Sequence, residues 1–171
     1  MIKLIGAVLI LVATSWAGFE AARHLTERPR QLRQLKVALQ SLEAEIMYGH
    51  TPLADATKNI SKQLEKPLSW FFESFANKLE KASLSVKEAW QESLDDVWKN
   101  TAYKTAELEI MKQFGETLGQ HDRYTQQKHI QLALTHLERE ELEARDKQNR
   151  YERMVKSLGV LSGLLLVILL I

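Results

Sequence analysis

The chain has 171 residues, a formal net charge of +1, 26% charged and 45% hydrophobic residues, and no cysteine. Near-neutral charge removes the electrostatic case for nucleic-acid binding, and the lack of cysteine removes disulfides and thiolate metal sites. With 3 prolines and 7 glycines in the whole chain, few turns are available, and the expectation is an all-α protein of long helices.

The first element is hydrophobic. Leu4 to Phe19 carries no charge and follows a lone Lys3, so residues 1–22 read as an N-terminal membrane helix. Ser15-Trp16-Ala17 also has the small-x-small form of a signal-peptide cleavage site. Against cleavage, Trp16 and Phe19 suit a membrane-interface belt, and helical character continues through Glu20-Ala21-Ala22-Arg23. The run is shorter than the ~20 residues of an untilted span, and snorkelling by Lys3 and Arg23 would extend it.

Residues 23–156 form the predicted middle domain. Pro29 at a first helical position opens a helix whose Leu32, Leu35, Leu39, Leu42 and Ile46 share one stripe at three-four spacing. Gly49 reads as its left-handed terminator, and Thr51-Pro52 as N-cap and first-turn proline of a second helix with Leu53, Ala56, Ile60 and Leu64 inward. Pro67 restarts the chain into a short aromatic helix with Leu68, Phe71, Phe72, Phe75 and Leu79. Ser85 to Glu88 fits a capping box ahead of Val86, Ala89, Trp90, Leu94 and Val97. Thr105 and Glu107 open a helix through Leu108, Met111, Phe114 and Leu118, stopped at Gly119. Asp122 caps the last helix, which meets no proline or glycine before Gly159 and would be on the order of 70 Å long as it runs into the membrane.

The closing run, Ser157 to Ile171, is again uncharged and reads as a C-terminal membrane helix over residues 157–171. Its Gly159 and Gly163 form a small-xxx-small pattern suited to helix packing in lipid. Arg23, Arg28, Arg30, Arg33 and Lys36 follow the first run, and Arg145, Lys147, Arg150, Arg153 and Lys156 precede the second. Positive residues stay on the cytoplasmic side, so the middle domain is expected there. The expected architecture is a six-helix antiparallel bundle ending in a long stalk helix, with short hydrophobic membrane helices at both ends.

No residue pattern points to catalysis or a cofactor. Walker, nucleophile-elbow, Rossmann and zinc-protease patterns are absent. Histidines 24, 50, 121, 129 and 136 include no His-x-x-x-His pair and read as surface or interface side chains, so catalytic, cofactor and metal residues are expected to be none. Glu138-Arg139-Glu140-Glu141 reads as a solvated stalk with internal ion pairs. Two segments look specified. One joins a helix end to a capped restart through Glu45, Tyr48, Gly49, Thr51 and Pro52; the other holds Gly115, Glu116, Gly119 and Asp122. Glycine inside a helix costs about 1 kcal/mol against alanine, so Gly115 marks either tight packing alone or a partner surface where Glu45 or Glu116 supplies a polar contact.

At these segments the sequence resembles a known family. Glu27–Gln31, Leu42–Leu53, Phe114–Gly119 and Leu132–Leu137 closely resemble the stage III sporulation protein AB family of endospore-forming bacteria, and the likeness extends to both hydrophobic ends. A more distant similarity is to the F-type platform proteins of type II secretion and type IV pili. Their Gly-x-Ser/Thr-x-x-x-Ala turn is matched by Gly49, Thr51 and, one place late, Ala56; their Gly-Glu-x-x-Gly segment is matched by Gly115, Glu116 and Gly119. This chain departs in having one such domain where those proteins have two, and shorter membrane segments.

The resemblance implies a structural platform in a sporulation-specific, secretion-like membrane complex that links mother cell and forespore and sustains the forespore after engulfment. It implies as partners the secretion-like ATPase, stage III sporulation protein AA, and the other membrane proteins of the same complex, with a homo-oligomer replacing the two-domain arrangement. The location it implies is the mother-cell side of the membrane around the forespore. The alternative is a membrane-tethered helical adaptor or signalling bundle without a secretion role.

Overall fold

A computed structural model describes residues 26–49, 51–81, 84–120 and 122–170, with side chains as far as residue 154 except at 152. Among these residues there are six α-helices and no strand. They are α1 (26–48), α2 (Leu53–Ser61), α3 (Leu68–Glu80), α4 (Val86–Val97), α5 (Thr105–Thr117) and α6 (Arg123–Leu170), with a 3-10 turn at Trp98–Asn100 after α4. The chain divides into two compact units, Arg28–Leu142 and a second drawn from Met1–Glu27 with Glu143–Ile171.

Within Arg28–Leu142 the core follows the three-four spacing. Leu32, Leu35, Leu39 and Leu42 of α1 are fully buried, as are Ile130 and Leu137 of α6. Polar contacts give the direction of pairing: Arg28 reaches Glu140, Lys36 reaches Glu141, and Glu43 meets Gln127 and Gln131. Numbers rise along α1 as they fall along α6, so the two helices run antiparallel. The aromatic stripe of α3 closes on α4. Phe71, Phe72 and Phe75, with Phe114 of α5, present their edges to the buried Trp90 indole at centroid separations of 4.8 to 6.3 Å. Edge-to-face pairs of this kind add to the stabilisation from plain area burial.

Helix starts follow local chemistry. Ser85 and Glu88 make the reciprocal capping box at α4, each satisfying a backbone N–H that the helix leaves open. Asp122 caps α6 by accepting from the N–H groups of Tyr124 and Thr125 at 3.0 and 3.1 Å. From there α6 is continuous for 48 residues; no proline or glycine interrupts it before Gly159, and it runs on through Gly159 and Gly163.

Several expectations are corrected. The helix already runs at residue 26, so Pro29 lies within α1 and does not open it. Pro52 is itself the N-cap of α2, without any side-chain cap bond, so Thr51 stands one place outside the helix. α2 ends at Ser61, leaving Leu64 beyond it and only half-buried. Gly49 does not adopt the left-handed conformation; among the described residues the positive-φ glycine is Gly119, at 77°. Glu140 and Glu141 are not solvated: each is only 6% exposed, because their face of α6 turns toward the cations of α1.

Among the described residues no helix is long and apolar enough to cross a membrane. The expected N-terminal membrane helix, His24, His50 and His121 lie outside the described residues. Residues 157–170 are helical, as part of α6, but the side chains around Gly159 and Gly163 lie outside the described residues.

Candidate partner interface

The two specified segments, far apart in sequence, lie toward the same end of the bundle. The Glu43 carboxylate accepts from the Gln127 and Gln131 amides at 2.8 Å. Past that contact α1 carries Glu45, ends at Tyr48 and is followed by Gly49, while α6 runs back to its cap at Asp122 and the turn at Gly119. The antiparallel pairing therefore gathers Tyr48, Thr51 and Pro52 on the same end as Glu116, Gly119 and Asp122.

Their roles differ. Tyr48 is 81% exposed, and Thr51 and Pro52 are exposed beside it. Glu45 is half-buried, and its backbone carbonyl accepts the Gly49 N–H at 2.9 Å. A Cβ at Gly49 would stand 2.5 Å from that carbonyl oxygen and 2.5 Å from the Glu45 carboxylate. Gly49 is thus required by close approach of backbone, and Glu45 serves that turn. Gly115 is buried beneath Trp90 and contributes no surface. Glu116 is exposed and pairs with Lys87 of α4 at 3.2 Å. The structure adds Tyr124, 73% exposed, which no periodic pattern singled out because it stands on the polar side of α6.

Gly119 makes the turn between α5 and α6. Its N–H donates to the Gln126 side-chain oxygen at 3.0 Å, and its φ of 77° is one an L side chain resists. A Cβ there would be in ordinary contact with Val86 at 3.4 Å, so the cost of a side chain is conformational. Gly119→Ala is expected to lower stability by about 1–2 kcal/mol, measured by urea unfolding of the full-length protein in detergent. A neutral result would show that the turn relaxes to negative φ.

Asp122 is held below the usual carboxylate range, first by the hydroxyl of Thr125 and then by the Thr125 and Tyr124 N–H groups, all of which favour the ionised form. The folded pKa lies below the unfolded one, so the cap's contribution is present above the unfolded value and disappears as pH falls through the folded value. Asp122→Ala is expected to melt below the wild type at pH 7. The gap should close as the pH falls below about 4. An equal gap at pH 7 and in strong acid would contradict the cap.

A second polar cluster escaped sequence reasoning. Arg28 Nε donates to Glu107 Oε1 at 2.8 Å, and Arg28 Nη2 donates to Glu140 Oε2 at 3.0 Å. Their residues are 5%, 0% and 6% exposed respectively for Arg28, Glu107 and Glu140. The other Glu107 oxygen accepts the Lys104 N–H at 2.8 Å, opening α5. Beside it, Gln31 accepts from Ala102 through its side chain and from the Tyr103 hydroxyl through its carbonyl. Burial, and then the Glu107 charge, push the Tyr103 phenol well above its usual range, so it remains a neutral donor. This cluster ties the approach to α5 onto α1. The signal was present in Glu27–Gln31, which holds both Arg28 and Gln31, but a charged stretch beside a hydrophobic run reads first as surface.

Among the described residues no group of three or more His, Asp or Glu side chains could hold a metal ion. The geometry therefore offers helix termini, exposed tyrosines and carboxylates engaged in caps and ion pairs.

Comparison with known proteins adds three findings. The family model described as stage III sporulation protein AB matches residues 3–171. A protein of that name from Bacillus subtilis (strain 168) is 60% identical over 170 residues, covering 99% of each chain. A solved structure of a stage III sporulation protein AB superposes with a TM-score of 0.70 at 59% identity, covering 72% of this chain and 98% of that one.

Proposed function

The chain belongs to the stage III sporulation protein AB family, and from that membership we propose that it is a non-enzymatic platform in a secretion-like membrane complex between mother cell and forespore. The observation that carries the reading is mechanical. A packed helical unit feeds into α6, which is continuous for 48 residues and ends in the uncharged run beginning at Ser157. A continuous helix transmits displacement or register along its axis without a cofactor, because each turn is bonded to the next.

In this proposal both hydrophobic ends anchor the chain on the mother-cell side, and the unit Arg28–Leu142 faces that cytoplasm. The partners are the secretion-like ATPase, stage III sporulation protein AA, and the other membrane proteins of the complex, with a second copy of the chain as a further neighbour. Co-purification of the tagged full-length chain from sporulating cells, followed by mass spectrometry, tests it. Recovery of the ATPase with other complex members supports the platform. Recovery of the chain alone from well-solubilised membranes favours a self-contained adaptor.

Glu116 gives a sharper test at the end of the bundle. It is exposed and its pair with Lys87 is solvent-accessible, so Glu116→Lys should cost under about 1 kcal/mol of stability. Reduced recovery of partners with unchanged far-UV circular dichroism is the expected result. Loss of helix would make the residue structural and remove it from the interface.

A further inference from the structure

We infer that residues 4–25 pack antiparallel along the far end of α6, so that the two hydrophobic ends of the chain form one helical hairpin. The pairing is set inside the bundle. Buried residues recur at alternating three and four spacing on both helices: Leu32, Leu35, Leu39 and Leu42 on α1, and Ile130, Leu134, Leu137 and Glu141 on α6. The helices run antiparallel, so Leu42 lies level with Ile130, Leu39 with Leu134, Leu35 with Leu137 and Leu32 with Glu141. Residue numbers at each level add to 172 or 173. In the polar contacts across the same pair they add to between 168 and 177, which agrees with that register.

The seam on α6 continues at the same spacing through Ala144, Gln148 and Tyr151. Ala144 is buried and the other two are half-buried, whereas 145–147, 149 and 150 are exposed. In this register Gln148 and Tyr151 stand level with Leu25 and Ala21, which precede the first described turn of α1. The stretches Met1–Glu27 and Glu143–Ile171 also belong to one compact unit. Carried further, the spacing puts Gly18 level with Val155, Thr14 with Leu158, Leu11 with Ser162 and Ala7 with Leu165. From Ala21 onward every level sets a smaller residue against a larger one. Such alternation lets facing layers interdigitate, and small residues let helix backbones approach closely in lipid. Gly159, four after Val155 and three before Ser162, falls on this same face, so it is covered from within the chain and not by a second copy. Each run is short for a span by itself; paired, the two move as one body with α6. The pairing does not depend on the platform reading.

Disulfide trapping tests it, since the chain has no cysteine of its own. Full-length proteins carrying Ala21→Cys with Tyr151→Cys, or Thr14→Cys with Leu158→Cys, are oxidised in membranes of the producing cells and separated without reductant. A bond needs Cα atoms within about 7 Å, so both pairs should close within one chain. The control, Trp16→Cys with Ser157→Cys, is level in the same register but about half a turn from the seam on both helices. Its yield should be lower by about tenfold or more. Should either seam pair reduce the amount of protein in the membrane, Ala7→Cys with Leu165→Cys reads the same seam. Bonds joining two chains would assign the face to a second copy and overturn the inference. Equal yields from seam and control pairs, or no bond from any pair, would overturn it as well.

Discussion

Gly115→Ala is expected to destabilise the protein by about 2–4 kcal/mol, opposite in sign to what helix propensity alone predicts. In an open helix the change would gain about 1 kcal/mol. Here a Cβ would fall 2.1 Å from Trp90 Cδ1 and 2.7 Å from its Nε1. The indole has no room to retreat. It is fully buried, four phenylalanine rings surround it, and its N–H donates to the Met111 carbonyl at 2.8 Å. Relief would require breaking that hydrogen bond or moving α5 away from α4. Urea unfolding monitored by circular dichroism gives the sign directly. A Trp90→Phe background should recover part of the loss, because a smaller ring vacates the space; this coupling separates a steric clash from a general loss of helix. A Gly115→Ala protein as stable as the wild type would contradict the close approach.

The same residue shows how far the sequence was legible. Glycine inside an amphipathic pattern announced a close approach, but not what approached; that needed the α4–α5 packing, which joins residues with no local signature. The apolar stripes, the Ser85 and Asp122 caps and the unbroken last helix were readable because each depends on a few neighbouring residues. Gly49 and Thr51-Pro52 were read as a standard stop and start, and both failed in detail. Pro52 took the cap position, and Gly49 answered to its own preceding turn. The buried charges were hidden for a different reason. Glu140 and Glu141 sit in a run of charges whose pattern favours solvent, and only pairing with α1 turns that face inward. Of the site residues, Tyr48, Thr51, Pro52, Glu116 and Asp122 are at the surface, whereas Gly115 answers for the core. Tyr124 joined them only when antiparallel packing defined that end.

Arg28→Ala should cost about 3–5 kcal/mol, among the largest single effects open to this chain. Removing the guanidinium leaves the Glu107 carboxylate, 0% exposed, and the Glu140 carboxylate beside it without their shared cation. Arg139 approaches Glu140 only at 3.7 Å and is itself largely exposed, so it is a poor substitute. The cost is that of stranding charge and not the worth of the cluster, a distinction that a second variant makes measurable. Replacing Arg28, Glu107 and Glu140 together by methionine, leucine and leucine removes charge and partner at once. Such replacements of buried ion clusters are neutral or stabilising by about 1–4 kcal/mol when the volume is kept. Here the gain is expected at the low end, because Glu107 also accepts the Lys104 N–H that opens α5, and leucine leaves that donor open. The Arg28 Nη1 group, buried without a hydrogen-bond partner, works in the other direction, since its unmet desolvation cost disappears with the arginine. Urea unfolding of both proteins decides the matter. A large loss in Arg28→Ala that the triple variant largely restores identifies the cluster as a device for register between α1, α5 and α6, kept despite its modest net stability. A loss under about 1 kcal/mol in Arg28→Ala would mean that these carboxylates are solvated, and the buried cluster would have to be abandoned.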